Sequence, residues 1–345
     1  MLGFIQCRVV KRPTQADVAR IAGVSRATVS YVLNEPDNIT ISPETRERVL
    51  EAIQSLGYEP DTRAQSLRSG DSKTVGILIP DIHNPHFWQV VEGVEEEASK
   101  AGYDLLLAQS SSSQSKEDYA LQALSRRTIS GLIVIKSMVD LHPATLKRLK
   151  ASKRPIVEYR EEAAQFDCIV TNYRQGTHEL MSYLLELGHR RFAFVNGVSG
   201  PGVGADRLDV FKQMLQAAGL PFQVEACGIT TEDGYRVAHK ILSQTVRPTA
   251  LVVINDLLAY GVLRAAADVG LRVPEDVSVA SFDDLPVSSY FIPRLTTVQR
   301  DTRADGRAAL RLLLERQAQP DLPLRAVKMP TKFIVRESTG PVSEG

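Results

Sequence analysis

Between Ser25 and Tyr31 the chain sets Arg26, Ala27, Thr28 and Ser30 in quick succession, a run of short hydrogen-bonding groups around one guanidinium. At 3.6 residues per turn Arg26, Ala27, Ser30 and Tyr31 share one side of a helix, and Val29, Val32 and Leu33 share the other. A helix N-terminus attracts phosphate through its free amides and dipole, and hydroxyls such as those of Thr28 and Ser30 add hydrogen bonds without holding the helix away. Arg26 can reach a guanine edge bidentately, and Ala27 is small enough to lie against a thymine methyl. An ordinary capped surface helix would explain part of this face, but not the helix, Gly23 turn, helix spacing that suits a helix lying in a major groove.

Charge is distributed to match. The 345 residues carry no net charge, yet the first 34 hold Arg8, Lys11, Arg12, Arg20 and Arg26 against Asp17 alone, a local balance of about +4. Three widely spaced cysteines, Cys7, Cys168 and Cys227, form no pair motif and suit a reducing compartment. The opening MLGFIQCRVVKR does not read as a signal peptide, and no apolar run is long enough to cross a membrane, so the expected location is the cytoplasm without membrane association.

Catalytic patterns fail on spacing. NGVSGPG is not a nucleophile elbow, GPGVGAD lacks the P-loop lysine, and His83 with His86 has no evident third metal ligand, reading instead as a loop with two solvated histidines. The expectation is therefore a protein that is not an enzyme, with no cofactor and no metal.

Three short helices must position the basic face. The first spans Gln15 to Ala22, with Val18, Ala19 and Ile21 apolar; the second starts at Ser25 as N-cap and runs to Asn34; the third starts at Ser42 and Pro43 and stops at Gly57. The polar stretch DTRAQSLRSGDSK follows as a linker with a marginal helix of its own. From Thr74 apolar strands alternate with helices, predicting parallel sheets at Val75–Ile79, Tyr103–Ala108, Gly131–Ile135, Pro155–Glu158, Arg191–Val195, Ala250–Ile254 and Val277–Ala280. About 270 such residues call for two α/β lobes, with Gly-, Ser-, Asp- and Asn-rich loops at the strand ends where open sheets place ligands.

TQADVARIAGVSRATVSYVLN, followed by ISPETRERVLEAIQSLGYEPDTRAQSLRSG, resembles the DNA-binding headpiece and hinge of the lac and galactose repressor family. The resemblance continues through VGILIPDIHNPHF, LGHRRFAFVNG, VVINDLLAYGVLRAAADVGLRVPEDVSVASFDDLP and LTTVQRD. It implies a small all-α helix-turn-helix headpiece and a two-lobed, periplasmic-binding-protein-like α/β core. The expected domains are an extension at 1–12 that is disordered, the headpiece at 13–59, a hinge helix and linker at 60–72, and the core at 73–340. The first lobe would take 73–169 and 298–328, the second 170–297 and 329–340. The family also implies a homodimer, or a higher assembly of it, that represses from a pseudo-palindromic operator in double-stranded DNA under control of a sugar or sugar derivative. A sugar-binding protein without a regulatory role is the competing reading.

Carried over by position, Thr14, Thr28 and Ser30 match phosphate-contacting places and Arg26, Ala27 and Tyr31 base-reading ones, with Ser25 and Asn34 at the ends of the same helix. Tyr31 stands where arginine is often found. Leu67, with Ala64 beside it, matches a hinge leucine that wedges into the minor groove. The cleft positions fall on Asp81, Asn84, Phe87, Arg160, Arg207, Asn255, Asp283 and Arg300. Carboxylates and amides with an aromatic suit a sugar ring. Convergence of Arg160, Arg207 and Arg300 would instead favour an acidic or phosphorylated sugar, unless Arg160 pairs with Glu158 or Glu161 at the rim.

Overall fold

The computed structural model describes residues 13–34, 39–59, 72–110, 113–135, 141–160, 165–197 and 204–342. It divides into two units, residues 1–72 and 73–345. The extension at 1–12 lies outside the described residues.

Helix α1 (Gln15–Ala22) is opened by a capping box in which Thr14 and Asp17 exchange hydrogen bonds, and it is closed by Gly23 at φ 66°. Helix α2 (Arg26–Asn34) follows, with the Ser25 hydroxyl accepting the Thr28 amide at 3.0 Å. Helix α3 (Pro43–Leu56) is capped by Ser42, carries Pro43 in its first turn and ends at Gly57. Val18, Ala19, Ala22, Val29, Val32, Val49 and Ala52 form the small core between them. Ile21, expected inside, is half exposed and Ala22 takes its place, because the helical phase set by Val18 returns at 22 rather than 21.

The second unit holds two six-stranded sheets. The first contains β1 (Thr74–Ile79), β2 (Asp104–Gln109), β3 (Gly131–Ile135), β4 (Ile156–Arg160), β5 (Asp167–Thr171) and a late strand β11 (Ala326–Met329), in the order β11-β5-β4-β3-β1-β2. All its pairings are parallel. The second contains β6 (Phe192–Asn196), β7 (Phe222–Ala226), β8 (Ala250–Val253), β9 (Ser278–Asp283), β10 (Thr296–Arg300) and β12 (Thr331–Ile334), in the order β12-β10-β9-β8-β6-β7. Only the pairing of β12 with β10 is antiparallel.

The helices flanking the first sheet are α4 (Pro85–Ala101), α5 (Gln114–Ser125), α6 (Pro143–Ala151) and α11 (Thr302–Ala318). Those of the second are α7 (Tyr173–Glu186), α8 (Ala205–Ala217), α9 (Thr231–Leu242) and α10 (Asp256–Asp268). The chain passes between lobes three times, at 171–173, 300–302 and 329–331. β10 stays in the second sheet to Arg300, so the return to the first lobe follows Arg300 instead of starting at 298. Apolar strands buried on both faces explain the packing: β1, β3, β6, β8 and β9 are almost fully covered. In each sheet the first strand in sequence lies beside the second on one side and the third on the other, which leaves a crevice at the carboxyl ends of the strands.

Candidate functional site

The headpiece presents one polar face. Arg26, Ala27 and Tyr31 are exposed along α2, Thr28 and Ser30 are half-buried at its border, and Val29 and Val32 turn into the core. The Ser25 and Thr28 hydroxyls lie 2.9 Å apart, and exposed Thr14 is engaged with Asp17. Asp17 is held down at about 2 by the Thr14 hydrogen bonds first and Arg20 next, so it is ionised beside the cap. Asn34 closes α2. Ala64 and Leu67 lie outside the described residues.

The second unit assembles a polar cluster where the two lobes meet. Arg207, from the first turns of α8, is 5 % exposed and lays its guanidinium 4.2 Å from the Tyr173 ring centre and 5.3 Å from that of Phe282. One of its terminal nitrogens donates to the Ile254 carbonyl at 2.9 Å. Tyr173, the first residue of α7, donates its hydroxyl to Asp283 at 3.3 Å, and burial pushes its pKa up to about 12. Asp283 ends β9 at φ 105°. Across the cleft, His86 Nδ1 stands 3.5 Å from the Asp283 carboxylate. Burial drives the His86 pKa down to about 4 against the pull of Asp283, with Arg300 and Arg207 pushing the same way as burial, so at neutral pH the ring is uncharged.

Arg300, at the end of β10, is ion-paired with buried Asp305 on α11 and lies over the Tyr159 ring at 5.4 Å. Burial lowers its pKa, but the Asp305 carboxylate and the Tyr173 and Tyr159 hydroxyls more than offset that and leave it raised. Burial raises the pKa of Asp305 despite Arg300 beside it. Among the described residues three buried polar atoms in this region have no hydrogen-bond partner: Arg207 Nε, Tyr159 Oη and one carboxylate oxygen of Asp305. Unpartnered buried polar groups cost about 1–3 kcal/mol each, so a polar molecule that fills them gains affinity.

Other expected cleft residues are already engaged. Asp81 accepts the His83 amide and ring nitrogen, both at 2.9 Å, and Asn84 caps α4 through the His86 amide. Asn255 caps α10 through the Leu258 amide. Phe87 packs on the first-lobe core and meets His86 edge-on. Arg160 ends β4. His83 is solvated as expected, whereas His86 is not: the phase of α4 carries His86 inward with Val90, Gly93 and Val94. That periodicity was readable in the sequence. Tyr159, Tyr173, Phe282 and Asp305 were missed because they lie inside a strand or a helix turn, with no motif around them.

Residues 14–61 match the model described as bacterial regulatory proteins, lacI family, and residues 181–339 match that of a periplasmic binding protein-like domain. The chain is 33% identical over 329 residues to catabolite control protein A of Priestia megaterium, covering 94% of this chain and 98% of that one. The chain belongs to the lacI family. It is 32% identical over 333 residues to the HTH-type transcriptional repressor PurR of Aliivibrio fischeri, strain MJ11, with 94% and 98% covered. The lac repressor dimer solved with operator and the anti-inducer ONPF superposes with a TM-score of 0.84 at 28% identity, covering 96% of this chain and all of that one. A transcriptional regulator CelR–cellobiose complex gives 0.70 at 28% identity, covering 95% and 100%. As a lacI-family member the protein is a ligand-responsive, DNA-binding transcriptional regulator. No helix among its described residues is long and apolar enough to cross a membrane.

Proposed function

We propose that this regulator represses from a pseudo-palindromic operator as a homodimer in the cytoplasm, that α2 reads the major groove, and that a sugar-like effector in the interlobe cleft sets operator affinity. The observation that carries the effector assignment is the buried cluster of Arg207, Tyr159 and Asp305, whose unfilled hydrogen-bonding capacity comes from both lobes at once. A ligand bonding to both lobes favours the arrangement in which they approach, and that arrangement is what the dimer transmits to its hinges. This is a binding task rather than a catalytic one.

The charges favour an uncharged polyol. Two guanidiniums, Arg207 and Arg300, face two carboxylates, Asp283 and Asp305, around a neutral imidazole, and Arg300 is already paired inside the protein. An acidic sugar is the second reading, supported by the unpartnered Nε of Arg207. Calorimetry with neutral sugars, sugar acids and sugar phosphates decides: binding of neutral sugars alone supports the first reading, and binding of sugar acids alone the second. On the DNA side, Arg26→Ala relaxes preference at one base pair by about 1–3 kcal/mol, whereas Thr28→Ala weakens all sequences alike. A gel shift at moderate salt with no retardation of any pseudo-palindrome from the protein's own promoter would overturn the repressor reading.

A further inference from the structure

We propose that Asp256 is a positioning residue for the effector cleft: its carboxylate fixes the backbone turn that holds Asp283 opposite His86. The inference rests on the reading of that cleft as the effector site. Asp256 is the first residue of α10 and has no exposed surface. One of its oxygens accepts from the Ser281 hydroxyl and from Thr297 Oγ1 at 3.0 Å; the other accepts the Leu285 amide at 2.7 Å and the Ser288 hydroxyl. These four donors lie on β9 before the turn, on the chain just after it, and on neighbouring β10.

Between the clamped ends, Asp283 and Asp284 adopt φ of 105° and 54°. Side-chain-bearing residues enter that region at a cost, and they stay there only when their surroundings over-determine it. Asp256 supplies that constraint from both sides of the turn at once. Asp284 is secured through its side chain by Gln299 Nε2 at 2.9 Å and by Arg336 at 2.6 Å, and its amide donates to Thr297 Oγ1 at 3.4 Å. Asp283 is thereby left to meet Tyr173 and, across the cleft, His86. The same strand-to-helix turn also holds Arg207 through the Ile254 carbonyl and places Asn255 as cap, so consecutive residues 254–256 organise three parts of one site. Burial raises the Asp256 pKa to about 7 against the hydrogen bonds from Ser281 and Ser288.

The test reads the His86 imidazole, which reports on Asp283 without needing a ligand. A carboxylate at Nδ1 favours the tautomer protonated there. In full-length protein labelled with 15N-histidine at pH 7, with His86→Gln assigning the resonance, Asp283→Ala moves the tautomer ratio of His86. Asp256→Asn moves it in the same direction by at least about half as much, and the double variant adds little to Asp283→Ala. Should Asp256→Asn fail to fold, Ser281→Ala and Ser288→Ala, which each remove one donor to Asp256, take its place and shift the ratio in the same direction. An unchanged tautomer ratio in Asp256→Asn, or in both donor variants, overturns the proposal. No change in Asp283→Ala means that the cross-lobe pair itself is absent, which overturns the proposal at its premise. Calorimetry with D-ribose, cellobiose and D-glucuronate separates the two claims: if the tautomer moves as expected but wild type binds none of these three, the clamp stands and the sugar-effector reading fails. Where one of them binds, Asp256→Asn weakens it at least tenfold.

Discussion

The two lobes share a strand order and a way of packing helices, yet they contribute to the cleft differently. In the first lobe Gly93 on α4 lies against the Arg303 carbonyl and Gly306 on α11 against that of Val90; in the second, Gly234 on α9 meets Leu258 and Gly261 on α10 meets Thr231. Both pairs bring two helix backbones together where no Cβ fits. The second lobe adds a continuous apolar core and a clamped strand-to-helix turn, and its residues Arg207, Tyr173 and Asp283 reach the cleft. The first lobe divides its core between the two faces of its sheet and uses Asp81 and Asn84 on its own loop. What it offers the cleft are His86, brought by helical phase, Tyr159 near the end of β4, and Asp305, which follows the crossover. A polar residue at a strand end is thus a candidate only if its own loop has not already claimed it.

The shared architecture makes the largest prediction. Gly306→Ala and Gly261→Ala each place a methyl on a backbone carbonyl of the facing helix, and each should cost at least about 3 kcal/mol in denaturant unfolding. Tolerance of one but not the other would break the likeness of the lobes. The asymmetry of the cleft predicts that Arg207→Ala weakens an effector found by calorimetry about 100-fold, roughly 2.7 kcal/mol, because this side chain is buried and bonded to the second-lobe turn.

His86 tests the contact between lobes through pH. Its folded pKa of about 4 lies below the ordinary 6.5, so neutral His86 contributes stability that is complete above about 6.5 and is lost as pH falls toward 4. Relative to His86→Gln, the wild type should lose about 2 kcal/mol between pH 7 and pH 5 in paired unfolding titrations. A difference that stays flat over that range would place His86 in solvent. The smallest effect is expected at Asp81, whose carboxylate is engaged with exposed His83: Asp81→Ala should change effector affinity less than about threefold. A loss as large as that of Arg207→Ala would restore the first lobe's loop as a principal contributor.

Local chemistry fixed what could be read in one dimension. Thr14 with Asp17, Gly23, Ser25, Ser42 with Pro43 and Gly57 each satisfy or terminate a helix through neighbours within a few positions, so the headpiece helices could be bounded closely from sequence. Long apolar strands were equally plain, whereas β5, β7, β10, β11 and β12 were not, being partly exposed, interrupted by polar residues, or recruited from far along the chain. The types of residue in Arg207, Asp283 and Arg300 announced a polar site, but not which of them had spare hydrogen-bonding capacity. That Arg300 is matched by Asp305 and that His86 turns toward Asp283 depend on pairs 5 and 197 positions apart in sequence, and the hold of Asp256 on the turn depends on donors 25 to 41 positions away. The sequence by itself determined the helix caps, the alternating lobes and the exposed polar side of α2, because those follow from periodicity and short-range hydrogen bonding. Only the tertiary structure decided which charges are neutralised and which turn is held under strain, because burial and pairing are set by what the fold brings opposite each group.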